Sequence, residues 1–391
     1  MGSSSNLLKV SLSMLVFAWI ANAHNIPGVY NVMHYGAVAD GKFDCANAFL
    51  SAWTEACACS GSATILIPQG TFLSSAVSFK GPCKSALVFQ IIGKVVAPVD
   101  LLGDNWICFE YVKGLTLTGG GTFDGQGSIA WSKKISLGFS KFPVNIRFNY
   151  CTDAIIQGIS SINSKHFHID VLGCKNIKFI AINVSAPKTS VSTDGIRIGM
   201  STGITVSSSF IGTGDNCIFL GPGSQNIYIS KILFGAGHGI TIGSLGRLEK
   251  EEAVHGITVR NCTFTGTENG IRIERWHSSI FSFASNLIFE DLIMNHVKHP
   301  ILIDEPYCPL GLCTYAVPTL VKISDVIFKN IRGTCTSELA VKLMCSLHNP
   351  CVGVQFNDID LMYMGSGRPA LALCSYVNSI LSGNIFPSTC F

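Results

Sequence analysis

Four short apolar segments recur in the middle of the chain. They are Gly195-Ile196-Arg197-Ile198, Cys217-Ile218-Phe219-Leu220, Gly239-Ile240-Thr241-Ile242 and Gly270-Ile271-Arg272-Ile273. Each follows a compact polar step: Thr193-Asp194, Gly214-Asp215-Asn216, Gly237-His238 and Glu268-Asn269. The first isoleucines, at 196, 218, 240 and 271, are spaced by 22, 22 and 31 residues. A recurrence of this length marks a repeat architecture. Each segment is too short to bury its own apolar face, so the segments must stack on one another. The predicted fold is all-β, a single-stranded parallel β-helix.

A second series interleaves with the first: Asn176-Ile177, Gly203-Ile204, Asn226-Ile227, Gly256-Ile257 and Asn286-Leu287. Two interleaved series require at least two strands per turn. Residues 29–80 read as an opening cap, with strands at Tyr30-Asn31-Val32 and Thr64-Ile65-Leu66-Ile67-Pro68. Between them, residues 43–58 have helical spacing, with Phe49, Trp53 and Ala56 on one side. A helix over the open end would shield strand-edge groups that otherwise invite aggregation. Further strands are expected at 300–303, 321–328 and 352–359. No linker or composition break divides the chain, so residues 24–391 are expected to form one domain.

Stacking makes a geometric prediction. Equivalent positions in successive rungs should lie about 4.8 Å apart. Asp194, Asn216, His238 and Asn269 each fall two residues before an isoleucine and so share one column. Arg272 and Glu274 flank Ile273 and should point outward together, with Arg275 inward. Asp215 sits one position before its column, so the turn that carries it must bend if it is to meet Asp194.

Composition refines the picture. Hydrophobic residues make up 48% and charged residues 13%, which suits a long dry interior. The net charge of +3 is carried by scattered basic residues, which gives no nucleic-acid signature. Residues 1–23 read as a secretory signal: one early Lys9, an apolar run, then Ala21-Asn22-Ala23. No later stretch reaches the roughly 18 apolar residues of a membrane span. The chain is therefore expected outside the cell, without a membrane anchor. The 16 Cys, all after residue 23, then argue for disulfides, with Cys345 to Cys351 and Cys374 to Cys390 as plausible local loops. Two sequons, Asn183-Val184-Ser185 and Asn261-Cys262-Thr263, fit the same compartment.

The polar steps, taken in order, resemble the polygalacturonase (pectinase) family of glycoside hydrolases. The matching segments are Ser192-Thr193-Asp194, Gly214-Asp215-Asn216, Gly237-His238-Gly239 and Arg272-Ile273-Glu274. The stretch from Gly239 to Gly246, Asp304-Glu305-Pro306-Tyr307-Cys308 and Tyr35-Gly36-Ala37-Val38-Ala39-Asp40-Gly41 extend the likeness. The wording is most similar to the plant, pollen-type exo-acting branch. The resemblance implies a right-handed, pectin-lyase-like β-helix and inverting hydrolysis of α-1,4-galacturonan in cell-wall pectin, by a monomer without metal or organic cofactor. It implies Asp215 as general acid, Asp194 as activator of water, and His238 as tuner of the acid. Arg272 would bind a galacturonate carboxylate, and Tyr307 would contact substrate. Inverting enzymes hold their carboxyls roughly 6.5–9.5 Å apart, with water between.

The chain departs from the family pattern at three positions. Asn216 replaces a second Asp, leaving Asp194 as sole base; it fits an internal Asn ladder as well as a substrate contact. Glu274 replaces a Lys and should repel a uronate. Phe234 stands where the family usually has the Cys that bridges to the one after the Asp pair, so Cys217 is expected to be an unpaired, buried thiol. These departures allow three readings: a weakened polygalacturonase, an inactive pectin-binding or regulatory protein, or a hydrolase of a modified pectin such as rhamnogalacturonan.

Overall fold

The computed structural model describes residues 28–134, 142–276, 280–303, 319–365 and 368–388. The signal segment, Tyr307 and Cys390 lie outside the described residues. Parallel strands coil into a right-handed β-helix with two walls, a sheet of 21 strands and one of 11. One turn carries three strands. Ile169–Leu172 belongs to the shorter sheet; Lys175–Ile180 and Asn183–Ser185 belong to the longer.

The repeat positions stack as the spacing requires. Ile169, Ile196, Ile218, Ile240, Ile271 and Ile301 pair in register from rung to rung, and none is more than 1% exposed. Burying each such side chain stabilises the coil by roughly 1.5–3 kcal/mol. Aromatic ladders continue the interior: Phe289, Phe328 and Phe356 stack at 5.3 and 5.2 Å. The corners explain why Asn and Gly alternate in the second series. Asn176 turns in the left-handed region at φ 56°, and its Oδ1 would lie 2.8 Å from a Cβ at Gly203. Asn takes this conformation more readily than most residues, and only Gly fits beneath its amide.

The cap forms at Ala46–Ala58, with Phe49, Trp53 and Ala56 buried and Trp53 packed 5.0 Å from Phe79. Phe43 lies outside the helix, in the strand Asp40–Asp44, and is exposed. Cys57–Cys83 ties the helix end to the coil, and Cys345–Cys351 closes the local loop expected from sequence. Cys374 is also disulfide-bonded. Cys217 is a free thiol without exposed surface, and burial pushes its pKa up to about 12. Phe234, in the rung above, stacks on Phe264 at 4.5 Å. Aromatic packing therefore occupies the place where a sulfur bridge was the alternative.

The 31-residue offset leaves the first three pairs in register, and the register shifts only between Ile242 and Leu245. Ile240 still pairs with Ile271, and the surplus residues leave the coil after the strand Ile240–Leu245. The Glu251 carboxylate gathers this loop, accepting the backbone N–H of Gly246 and Arg247 at 2.7 Å and of Leu248 at 2.6 Å. On the shorter sheet, one outward column runs Arg147, Asp170, Arg197, Phe219, Thr241, Arg272, Leu302, Lys342. This column carries the polar groups that flank the acids described next. Among the described residues, no helix is long and apolar enough to cross a membrane.

Candidate active site

The bend needed to join the two acids is made by hydroxyls. Thr193, fully buried, accepts the Gly214 N–H at 3.1 Å, and its hydroxyl lies 2.6 Å from Ser190 Oγ. Ser190 Oγ in turn donates to Pro187 O. The turn at 214 is pressed so tightly onto its neighbour that a Cβ on Gly214 would lie 1.9 Å from Ser190 O. Two successive turns are thus bonded to each other just where Asp194 and Asp215 begin. Ser190 escaped the sequence reading, and Thr193 entered it only as part of a motif, because hydroxyls in turns are ordinary; their pairing is visible only after coiling.

Asn216 links the two acids. Its Nδ2 donates to Asp194 Oδ1 at 2.9 Å and to Asp215 Oδ1 at 3.1 Å. Its backbone N–H reaches the same two oxygens at 3.2 and 2.9 Å. Its Oδ1 accepts the Thr241 hydroxyl at 2.6 Å. Ionised carboxylates only accept, so this bond turns the NH2 end of the amide toward the acids. Asn216 is therefore a clamp on the pair rather than a link in an Asn-only ladder. With one amide nitrogen bonded to both, the facing oxygens are closer than the roughly 6.5–9.5 Å expected for a water held between them. A water would have to approach from the cleft side.

The two carboxyls differ sharply in exposure. Asp215 shows 30% of its side chain to the cleft, whereas Asp194 is only 3% exposed. Burial first, and the charge of Asp215 second, push the Asp194 carboxyl up to about 7. His238 lies over Asp215, with Nδ1 3.2 Å from its Oδ1. That bond raises the imidazole pKa, partly opposed by burial, and favours the cation beside the exposed acid. The expected column holds only in part. Asn216 meets Asp194, but His238 turns to Asp215 and, at 3.8 Å, to Glu268, while Asn269 pairs in register with His299.

Basic side chains line two recesses that meet at His238 and Glu268. A recess of about 300 Å³ is lined by Lys188, His238, Glu268, His296 and Lys298. A second, of about 270 Å³, is lined by His238, Glu268, Arg272, His299 and Lys342. Lys298 bonds Glu268 at 3.0 Å and holds that carboxyl below its usual range. Lys342 was missed in the sequence, yet its position between buried Val341 and Leu343 places it two rungs beyond Arg272 in the same column.

Arg272 and Glu274 do point outward on either side of buried Ile273, and Arg275 is buried. Glu274 does not face the cleft as a repeller, however. It is itself buried, accepts the Ser244 hydroxyl, and pairs with Arg272 at 2.9 Å. Alternation sets the two side chains close enough for the guanidinium to reach across, so Glu274 acts by neutralising Arg272. Glu274→Gln should therefore strengthen binding of an oligogalacturonide by about 1 kcal/mol, roughly fivefold, at some cost in melting temperature. Calorimetry on the two proteins would measure it; equal affinities would leave Glu274 with a structural role alone.

The acids, their clamp and the flanking cations lie on rungs that match a known family over most of their length. The family described as glycosyl hydrolases family 28 matches residues 57–383. The chain belongs to this family. An exopolygalacturonase of Platanus acerifolia is 45% identical over 370 residues, covering 92% of this chain and 97% of that protein. An endo-xylogalacturonan hydrolase from Aspergillus tubingensis superposes with a TM-score of 0.77 at 23% identity, over 91% of this chain and all of the other. Endopolygalacturonase I of Stereum purpureum, solved with two galacturonates, gives a TM-score of 0.65 at 17% identity, over 83% and 95%. As a family 28 member the protein is a glycoside hydrolase, and the Asp194–Asn216–Asp215 cluster occupies its candidate centre.

Proposed function

We propose that the protein hydrolyses α-1,4-galacturonosyl bonds of pectin outside the cell, in the wall. One observation carries this reading: His238, in contact with Asp215 of the acid pair, also lines two adjoining recesses that each present cations, which suits a polymer carrying negative charge beside the scissile bond. Asp215, the exposed member, protonates the leaving oxygen, and buried Asp194 accepts a proton from water. Below about pH 7 the pair holds one proton, because Asp194 is still protonated there. That proton has to move to Asp215, the member open to the cleft, before Asp194 is free to accept one from water. His238 and Asn216 hold the geometry on either side. The residues of the signal segment would deliver the chain to the secretory route, leaving residues 24–391 as the working domain.

A second reading is favoured by the Arg272–Glu274 pair. With that cation neutralised, the adjacent subsite suits an esterified or substituted sugar. One assay separates the cases: release of reducing ends from polygalacturonate, methyl-esterified pectin and rhamnogalacturonan. Preference for polygalacturonate is expected. Faster release from esterified or branched polymer would favour the second reading, and binding without product would mean a pectin-binding protein.

A further inference from the structure

Arg197 lies on the outward column, three rungs below Arg272 and so about 14 Å away at the spacing of paired strands. Its guanidinium is held between two aromatic rings, 4.9 Å from the Phe167 centroid and 4.8 Å from that of Phe219. Such a seat flattens and orients the fork while leaving its N–H edges for a ligand. The carboxylate beside it in register, Asp170, is already paired with Arg147 at 2.8 Å. Among the described residues, no oxygen accepts a hydrogen bond from Arg197. Its charge reaches both Asp194 and His166, and His166 also feels Asp215. Arg197 therefore stands on the acids' own side of the cleft floor.

We propose that Arg197 is a specificity-determining residue that receives a substrate carboxylate on the side of the acids opposite Arg272. The assignment rests on the galacturonan reading above. It gives the chain an oriented cation where Glu274 has neutralised the other. The pairing is a bidentate, charge-assisted contact, so its loss should appear in substrate binding and should depend on the substrate's ionised carboxylates.

The test compares wild type with Arg197→Gln and Arg197→Lys on a de-esterified oligogalacturonide and its methyl ester. For Arg197→Gln, KM on the acid form should rise about tenfold or more with kcat nearly unchanged, and KM on the ester should stay put. Arg197→Lys should recover part of the loss. An unaltered KM on the acid form, or equal losses on both substrates, overturns the assignment and leaves the hydrolase reading standing. Absence of wild-type turnover overturns that reading and this proposal with it. A crystal of Asp215→Asn soaked with the oligogalacturonide gives an answer independent of how the Arg197 variants fold. A carboxylate within hydrogen-bond reach of Arg197 supports the proposal, and an occupied cleft without that contact overturns it.

Discussion

Asp215→Asn should lower the rate of polygalacturonate hydrolysis by about 10²–10⁴-fold, the range for loss of one positioned proton-transfer group. The reason is exposure. Asp194 is sealed beneath its neighbours, so Asp215 is the member of the pair that can touch a glycosidic oxygen. An amide at 215 keeps one oxygen to accept from the backbone and Nδ2 of Asn216, so the clamp and the coil should persist. The loss should therefore fall on kcat, with KM and melting temperature close to those of wild type. Reducing-end release at pH 5, with a thermal melt as control, measures both. Equal rates for the two proteins would falsify hydrolysis at this site.

Asn216→Asp should make the protein's stability far more sensitive to pH. Today the amide donates to both acids. A carboxylate there would remove those donors and add a like charge. The Asp194 carboxyl, already raised from 3.8 to about 7, should move higher. A carboxyl whose pKa is higher in the folded chain than in the unfolded one keeps more protons when folded. Its contribution is full below the unfolded value and is lost as pH rises through the folded value. For Asp194 in wild type, that loss runs from about pH 4 to about pH 7; in the variant it continues further. The two melting curves should therefore nearly coincide near pH 4. They should separate above pH 7 by about 1.4 kcal/mol for each unit of added shift. The upper limb of the activity profile should move in the same direction. Parallel curves from pH 4 to 9 would sink the clamp.

Much of this was legible in the chain before any coordinates. Isoleucines recurring at offsets of 22, 22 and 31 residues specify stacked rungs because such short strands bury their faces only against one another. The same recurrence predicted that Arg272 and Glu274 would share a face. What it could not show is where long side chains go after they leave the backbone. Glu274 carries the same charge whether it confronts a ligand or grips Arg272, and only the 2.9 Å contact decides. Asn216 looked like a loss of catalytic charge; of its four hydrogen bonds to the acids, two go to adjacent Asp215 and two reach Asp194 on a turn remote in sequence. Arg197 sat in plain view within the first repeat, but its aromatic seat draws one ring from the rung on each side.

The loop gathered by Glu251 has a consequence for how such a protein can change. Extra length was admitted between two rungs while Ile240, Thr241 and Ile242 kept their partners at Ile271, Arg272 and Ile273; the register shifts only between Ile242 and Leu245, where the loop departs. The banks of the groove and its bed thus answer to different constraints. The bed is fixed by interlocking layers, whereas a bank tolerates insertion wherever one carboxylate can knot the new backbone together. New preferences for polymer length or branching could be drafted in such outgrowths while the chemistry underneath stays untouched.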